Sequence, residues 1–228
     1  MVKRYLITAG KGCIGIFEVS AVKILNLYAG IGGNRRLWGN EHKVVAVEID
    51  KEIAGVYKDM YPYDEVIIGD AHQFLIENFK EFDFIWSSPP CPTHSKARYF
   101  LTKELVYPDM SLYQEIILLQ NFSKNNKWVV ENVIPYYEFL IKPTTILERH
   151  AFWSNFKIPQ KDFSLQRKNY RFMNVEELEQ YHGISLEKYN IRNKRLLLRN
   201  CVHPIIGKYI LDVAFNNIKT IDIFNENI

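Results

Sequence analysis

Two short stretches carry the side chains best suited to covalent chemistry. Ser87-Ser88-Pro89-Pro90-Cys91-Pro92-Thr93-His94-Ser95 sets one cysteine among three prolines. Each proline fixes φ and removes an N–H, so the thiol is held in a rigid loop. A lone cysteine is usually a small, inert core residue, but a Pro-Pro-Cys-Pro loop is neither strand nor core. Val129-Val130-Glu131-Asn132-Val133 sets a carboxyl group directly behind apolar residues of strand type. A thiolate attacks electrophilic carbon, and a nearby acid neutralises the charge that then develops. Cys91 and Glu131 are therefore read as nucleophile and acid of one pocket.

A third stretch, Tyr28-Ala29-Gly30-Ile31-Gly32-Gly33, follows the apolar run ILNLY. Glycines there let the backbone approach a ligand, and a following helix start offers free N–H groups. Glu48 closes the next apolar run, 18 residues after Gly30. A carboxylate at that place can accept from both ribose hydroxyls. Asp70, after a third run, can accept from an adenine amino group. Glycine turn, acid and acid after three successive strands describe an adenosine site. Gly10-Lys11-Gly12-Cys13-Ile14-Gly15 also matches the GxGxxG spacing. It leads into IFEVSAV, a strand pattern and not a helix, and is read as a glycine-rich β-turn in an N-terminal extension.

The elements that must position these residues alternate in type. Strands are expected at 24–28, 43–48, 65–69, 82–87 and 127–132, with helices near 33–39, 51–60, 71–80 and 111–123. The strand runs are almost wholly apolar, the pattern of strands covered on both faces. Strand–helix repetition at this spacing predicts an α/β fold, a Rossmann-like, doubly wound, mostly parallel sheet. Ligands then bind beyond the carboxyl ends of the strands. Beyond residue 158 the pattern weakens into a basic, Asn-rich segment with a short helix at 174–182, and a helical stripe returns at 204–217. The expected divisions are an extension at 1–23, a catalytic domain at 24–157, a small recognition region at 158–199, and a C-terminal helix within 200–228 that returns to the catalytic domain.

The chain has 228 residues, 47% hydrophobic and 24% charged, an ordinary globular mixture that excludes disorder and fibrous repeats. The net charge is only +3, unevenly spread: residues 1–141 carry 15 basic and 17 acidic side chains, residues 142–228 carry 14 and nine. Positive potential thus gathers where a polyanion can be held. Three cysteines, Cys13, Cys91 and Cys201, make no disulfide framework. No apolar run reaches membrane-spanning length, and the N-terminus lacks a signal-peptide core, so the chain is expected to be cytoplasmic.

In their order, AGIGG, VEID, GDAHQF, SPPCPTHS, VVENV and LRNCVHPIIG resemble the motifs of the DNA (cytosine-5) methyltransferases, over residues 24–157 and 192–215. SPPCPTHSKARYF, ERHAFWSNF and NKRLLLRNCVHP resemble the small members carried by bacteriophages. The resemblance implies S-adenosylmethionine as methyl donor, double-stranded DNA as partner, and a reduced second domain. It implies catalytic roles for Cys91, Glu131, Asn132 and the substrate-contacting Arg149. The implied cofactor contacts are Tyr28, Ala29, Gly30, Gly32, Gly33, Glu48, Ile49, Asp70, Ala71, Pro89 and Asn200. No metal is implied. The implied reaction adds the Cys91 thiolate to ring carbon 6 of a flipped-out cytosine, so that carbon 5 takes the methyl group. For this the thiolate must be favoured, and Glu131 must be protonated, with a raised pKa in a dry pocket.

Phosphate contacts are expected from Ser95, Lys96 and Arg98 on a loop over the pocket, and from Arg167, Lys168, Arg171, Arg192 and Arg195 beyond it. The sequence departs from the family pattern in its recognition region, only about 35 residues at 158–191. That implies a short recognition site or a helper chain for target recognition; RNA cytosine is a separate alternative substrate that the sequence excludes only weakly. Methylation of an exocyclic amine fits less well, because those enzymes place an aromatic where Cys91 stands.

Overall fold

The computed structural model of the chain describes residues 2–9, 13–96, 99–100, 106–165 and 170–215, with the backbone alone at 2–9 and 13–20. Two strands, β1 (Val2–Ala9) and β2 (Cys13–Ser20), pair antiparallel as a separate hairpin. Of the GxGxxG stretch, residues 10–12 lie outside the described residues.

The main sheet contains β3 (Lys23–Leu27), β4 (Lys43–Glu48), β5 (Glu65–Ile68), β6 (Phe84–Ser87), β7 (Lys127–Val133), β8 (Thr145–Leu147) and β9 (His150–Ser154). Its order is β5-β4-β3-β6-β7-β9-β8. The first five strands are parallel, and β9 pairs antiparallel with both β7 and β8. From β3 the chain winds outward to β5, then returns beside β3 as β6 and winds the other way. The switch point between β3 and β6 is where such sheets bind ligands. β8 and β9 were not foreseen. Their residues, TIL and HAFWS, are short and follow a Pro-containing loop, so neither gives a long enough period to read.

Both faces are covered because successive side chains alternate. Leu25, Leu27, Val45, Val47, Ile85 and Val130 pack against α2 (Ala71–Asn78) and α3 (Ser111–Phe122) through Leu75, Leu112, Ile116 and Leu119. Ile24, Val44, Phe84, Trp86 and Val129 meet Trp38 and α6 (Pro204–Ala214), which brings Ile206, Ile210 and Leu211. α1 (Lys51–Met60) joins this second face, where Tyr57 packs with Ala46 and Ala29. The helix expected at 33–39 is one 3₁₀ turn, Asn34–Leu37. α6 crosses here so closely that a Cβ on Gly207 would stand 2.2 Å from the Asn34 carbonyl oxygen. Among the described residues no helix is long and apolar enough to cross a membrane.

α4 (Val175–His182) opens with a capping box, the Asn174 side chain accepting from Glu177 N–H and the Glu177 side chain from Asn174 N–H. With α5 (Lys194–Asn200) it builds a second small core of Met173, Leu178, Ile184, Leu186 and Leu198, closed against Ile31 and Val56.

The 3₁₀ turn is anchored by a buried ion pair. Arg35 Nε and Nη2 donate to the two Asp64 oxygens at 2.8 and 2.9 Å, and the Tyr57 hydroxyl donates to the same carboxylate at 2.9 Å. The side chains are 2% and 1% exposed, so removing one partner strands the other charge without water. Asp64→Ala is expected to cost about 3–5 kcal/mol, read as a lowered urea midpoint. A loss under about 1 kcal/mol would show that the buried guanidinium needs no counter-charge here.

Candidate active site

A cleft of about 310 Å³ lies beyond the carboxyl ends of β3, β4, β6 and β7. Tyr28, Ala29, Gly30 and Gly33 line it from the turn after β3, Glu48 and Ile49 from the end of β4, and Pro89 and Cys91 from the loop after β6. Glu131 and Asn132 enter from β7, Arg149 from the β8–β9 turn, His150 from the start of β9, and Asn200 from the end of α5. Parallel register brings them together: Leu27 stands beside Val47 and Ser87, and Ser87 beside Val130.

At one end of the cleft the Glu48 carboxylate is fixed by two backbone donors, Gly30 N–H at 2.8 Å and Asp50 N–H at 3.0 Å. A carboxylate offers about four lone-pair sites, so two acceptor positions remain for hydroxyl groups. Ile49 is 70% exposed and forms an apolar wall beside it. A Cβ on Gly30 would meet nothing within 4 Å, which marks open space over the turn. Gly32 serves a different end. Its φ is +76°, and a Cβ would stand 2.3 Å from the Tyr61 ring, whose hydroxyl donates to the Gly32 carbonyl at 2.8 Å. Gly32 thus shapes the turn from behind the cleft.

Asp70 and Ala71 are not brought into the cleft lining. Asp70 is exposed and caps α2, accepting from Gln73 N–H at 3.0 Å, while Ala71 is buried in the core. An acid directly before a helix is as good a cap as a ligand contact, and sequence could not separate the two.

At the other end the Pro-Cys loop is tied to β7 by Asn132 Nδ2, which donates to the Pro89 carbonyl at 2.9 Å. The Cys91 carbonyl accepts from His94 and Ser95 N–H, folding the chain into a turn behind the thiol. Cys91 is half-buried. Burial raises its pKa, and the charge of Glu131 raises it further, against a smaller opposing effect of Arg149. The expectation of a favoured thiolate is thereby corrected: the resting group is a thiol.

Glu131 also departs from expectation. Burial pushes its carboxyl pKa up, but His150, the Ser88 hydroxyl and Arg149 together outweigh burial and hold it below the ordinary range. His150 Nδ1 lies 2.5 Å from Glu131 Oε1. Burial lowers the His150 pKa, against the opposing pull of Glu131 and Glu148, and the pair shares one hydrogen bond between Nδ1 and Oε1. His150 was missed by sequence reasoning. It stands one residue after Arg149, and its place beside Glu131 depends on β9, a strand the sequence did not announce.

Arg149 lines the cleft while its Nη2 donates to the carbonyls of Arg199 at 2.5 Å and Cys201 at 3.2 Å, and to the Tyr170 hydroxyl at 3.1 Å. It therefore ties the small region to the sheet. Of the expected phosphate contacts, Lys96, Arg171 and Arg192 are exposed and Ser95 is half-buried. Arg195 instead donates to the carbonyls of Met173 and Arg171. These bonds, from Nε and Nη2, hold its guanidinium against the preceding loop and leave Nη1 to be offered to a phosphate. Arg98, Arg167 and Lys168 lie outside the described residues.

Residues 22–135 match the family model of the C-5 cytosine-specific DNA methylases. The chain belongs to that family. Two curated relatives, both named tRNA (cytosine(38)-C(5))-methyltransferase, come from Mus musculus and Spodoptera frugiperda. They are 24% and 29% identical over 151 and 149 residues, which is 55% and 54% of this chain. The methylase chain spans 36% and 45% of their lengths. Its fold is shared with the S. pombe Dnmt2 methyltransferase, with TM-score 0.56 at 12% identity over 86% of this chain and 99% of that one. It is also shared with the Entamoeba histolytica methyltransferase EhMeth, with TM-score 0.52 at 13% identity over 88% and 100%.

The cofactor of this family and fold is S-adenosyl-L-methionine, and the cleft's donor set fits it. Glu48 offers acceptors for ribose hydroxyls, Ile49 an apolar wall, and the open turn at Gly30 room for the chain that carries the sulfonium.

The raised thiol sets a reactivity. At pH 7 Cys91 should react with iodoacetamide more slowly than a free cysteine, with a rate that climbs as pH rises past the ordinary thiol value. Cys201, pushed up to about 12 by burial, should react only in denaturant. Peptide mass spectrometry reads both, and a Cys91 faster than free cysteine at pH 7 would contradict the electrostatics described.

Proposed function

We propose that the chain methylates carbon 5 of cytosine in double-stranded DNA through a covalent Cys91 adduct. The observation that carries this reading is one cleft lined by a proline-fixed thiol and a buried carboxylate at one end, and by the Glu48 acceptor at the other. Cytosine carbon 5 is a weak nucleophile. Adding the Cys91 thiolate to carbon 6 moves the ring's π electrons toward carbon 5 and nitrogen 3, and Glu131 supplies a proton at nitrogen 3. Bound S-adenosylmethionine supplies an electrophilic methyl group. Water in the cleft then takes the carbon 5 proton, the C–H electron pair reforms the ring double bond, and Cys91 leaves as the thiolate. The base has to leave the duplex to enter so narrow a cleft, at a cost of a few kcal/mol.

Exposed Lys96, Arg171 and Arg192 are available to phosphates, which give affinity without sequence information. With so short a recognition segment we expect a target of about two to four base pairs. The second reading, cytosine in RNA, is supported by the names of the curated relatives, both tRNA methyltransferases.

One experiment separates the readings. The protein is expressed in cells that lack cytosine-5 methylation, and 5-methylcytosine is mapped base by base in both DNA and tRNA. Methylation of DNA at a short motif is expected, lost in Cys91→Ser. Methylation confined to tRNA would replace the substrate, and substantial turnover by Cys91→Ala would remove the covalent mechanism. Purified chain should methylate naked DNA alone; activity only with cell extract would point to a helper chain.

A further inference from the structure

We propose that His150 is a positioning residue of the methyl transfer: paired with Glu131 in a buried dyad, it orients that carboxyl group, which takes up the Cys91 proton and passes it to nitrogen 3 of the cytosine. This rests on the cytosine-5 reading above.

The placement comes from strand pairing. β7 and β9 run antiparallel with Glu131 opposite Phe152 and Val133 opposite His150. Glu131 and His150 are therefore diagonal neighbours on one face of the sheet, within reach of long side chains. They are 5% and 3% exposed, and Nδ1 lies 2.5 Å from Oε1. Both also line the cleft that holds Cys91. Because the imidazole donates to Oε1, the remaining lone pairs of the carboxylate are left for the Ser88 hydroxyl and for a proton facing the base.

The proton inventory gives the dyad its function. At rest Cys91 is a thiol and Glu131 a carboxylate. The reactive arrangement is a thiolate and a carboxylic acid, which holds the same number of protons. One proton leaves Sγ and is taken up by Glu131. The sulfur electron pair forms the bond to carbon 6, the π electrons shift through carbon 4 to nitrogen 3, and nitrogen 3 takes the proton from Glu131. When the adduct collapses, the proton returns to Glu131. No outside acid is consumed in forming the adduct. A carboxyl group kept below its usual pKa by His150 takes up that proton less readily, but gives it to nitrogen 3 more readily, than one that burial alone would leave.

The groups facing the dyad act in opposite directions: Glu131 and Glu148 favour an imidazolium, while burial and Arg149 oppose it and prevail. Arg149 and Glu148 come from the β8–β9 turn, Ser88 and Cys91 from the loop after β6, and His182 from α4. Arg149 is a fixed cation that disfavours an imidazolium beside it. His182 is pushed down to about 3 by burial and by its histidine neighbour His203, ahead of α6, and so adds no charge near neutral pH.

Two measurements test the dyad. In the first, which needs no substrate, the full chain is labelled with 15N-histidine and studied by NMR from pH 5 to 8. The resonance lost in His150→Asn should report a neutral imidazole protonated at Nδ1. An Nε2–H tautomer, or an imidazolium at pH 7, overturns the proposal. In the second, single-turnover methyl transfer to a synthetic duplex, or to a tRNA transcript if that is the substrate found, is followed against pH. Below the Glu131 pKa thiol and acid are both protonated, so the rate falls on the acid side. His150→Leu removes the donor and should move that limb to higher pH by roughly one unit or more, the effect of one lost hydrogen bond to a charged group. His150→Asn keeps an N–H near the Nδ1 position and should restore the limb. An unmoved acid limb in His150→Leu, or a slower rate at every pH alike, reduces His150 to a structural residue and overturns the proposal. A wild type that gives the expected NMR signal but no 5-methylcytosine in DNA or RNA instead overturns the cytosine-5 reading, and the proton route with it.

Discussion

Everything at the active edge depends on the parallel register of β3, β4, β6 and β7. Leu27, Val47, Ser87 and Val130 lie level across four strands. Whatever follows each of them therefore leaves the sheet at one edge: a glycine turn, an acid, a proline-bound thiol and a carboxylate. The register is enforced by burial on both faces, since a slip of one residue would exchange the side chains meeting α2 and α3 for those meeting α6. The chemistry is thus a consequence of core packing. The same core has to carry the buried Arg35–Asp64 pair, which holds the 3₁₀ turn in place behind the glycine turn.

Within that frame the site is electrostatically quiet at rest. A half-buried thiolate beside an ionised Glu131 would face a like charge with little water between them, and the thiol stays protonated instead. Glu131 can remain ionised because two donors reach it, the His150 imidazole and the Ser88 hydroxyl. Buried Glu115 shows the same solution elsewhere: it is bonded by Tyr28 at 2.6 Å, by Ser87 at 2.5 Å and by His72 at 3.0 Å, and thereby links β3, β6 and α2 to α3. Buried polar groups are tolerated in this interior where each has several hydrogen-bond partners.

The small region is bound to the sheet and is not merely tethered. Its apolar cluster includes Ile31 and Val56, and Arg149 donates to two carbonyls around the end of α5. Asn200 and Leu197 consequently form part of the cleft wall. Arg195, bonded to the carbonyls of Met173 and Arg171, adds to this packing from within the region itself.

The sequence by itself determined the parallel strands, because fully buried strands must be continuous apolar runs. It also determined Cys91, Glu131 and Glu48, because their types stand out immediately after such runs. The cofactor could be named from motifs that need no distant contact to be read. The roles of Asp70 and Gly32 were not legible: a helix cap and a ligand acid share one residue type, as do a glycine facing a ligand and one facing Tyr61. β9 was illegible for a different reason, since five residues of antiparallel edge pairing carry little periodicity of their own. Only the fold could place His150 against Glu131, 19 positions away in sequence. The protonation of the site followed from that contact, since a pKa is set by burial and by neighbours, and neighbours across a sheet are chosen by register.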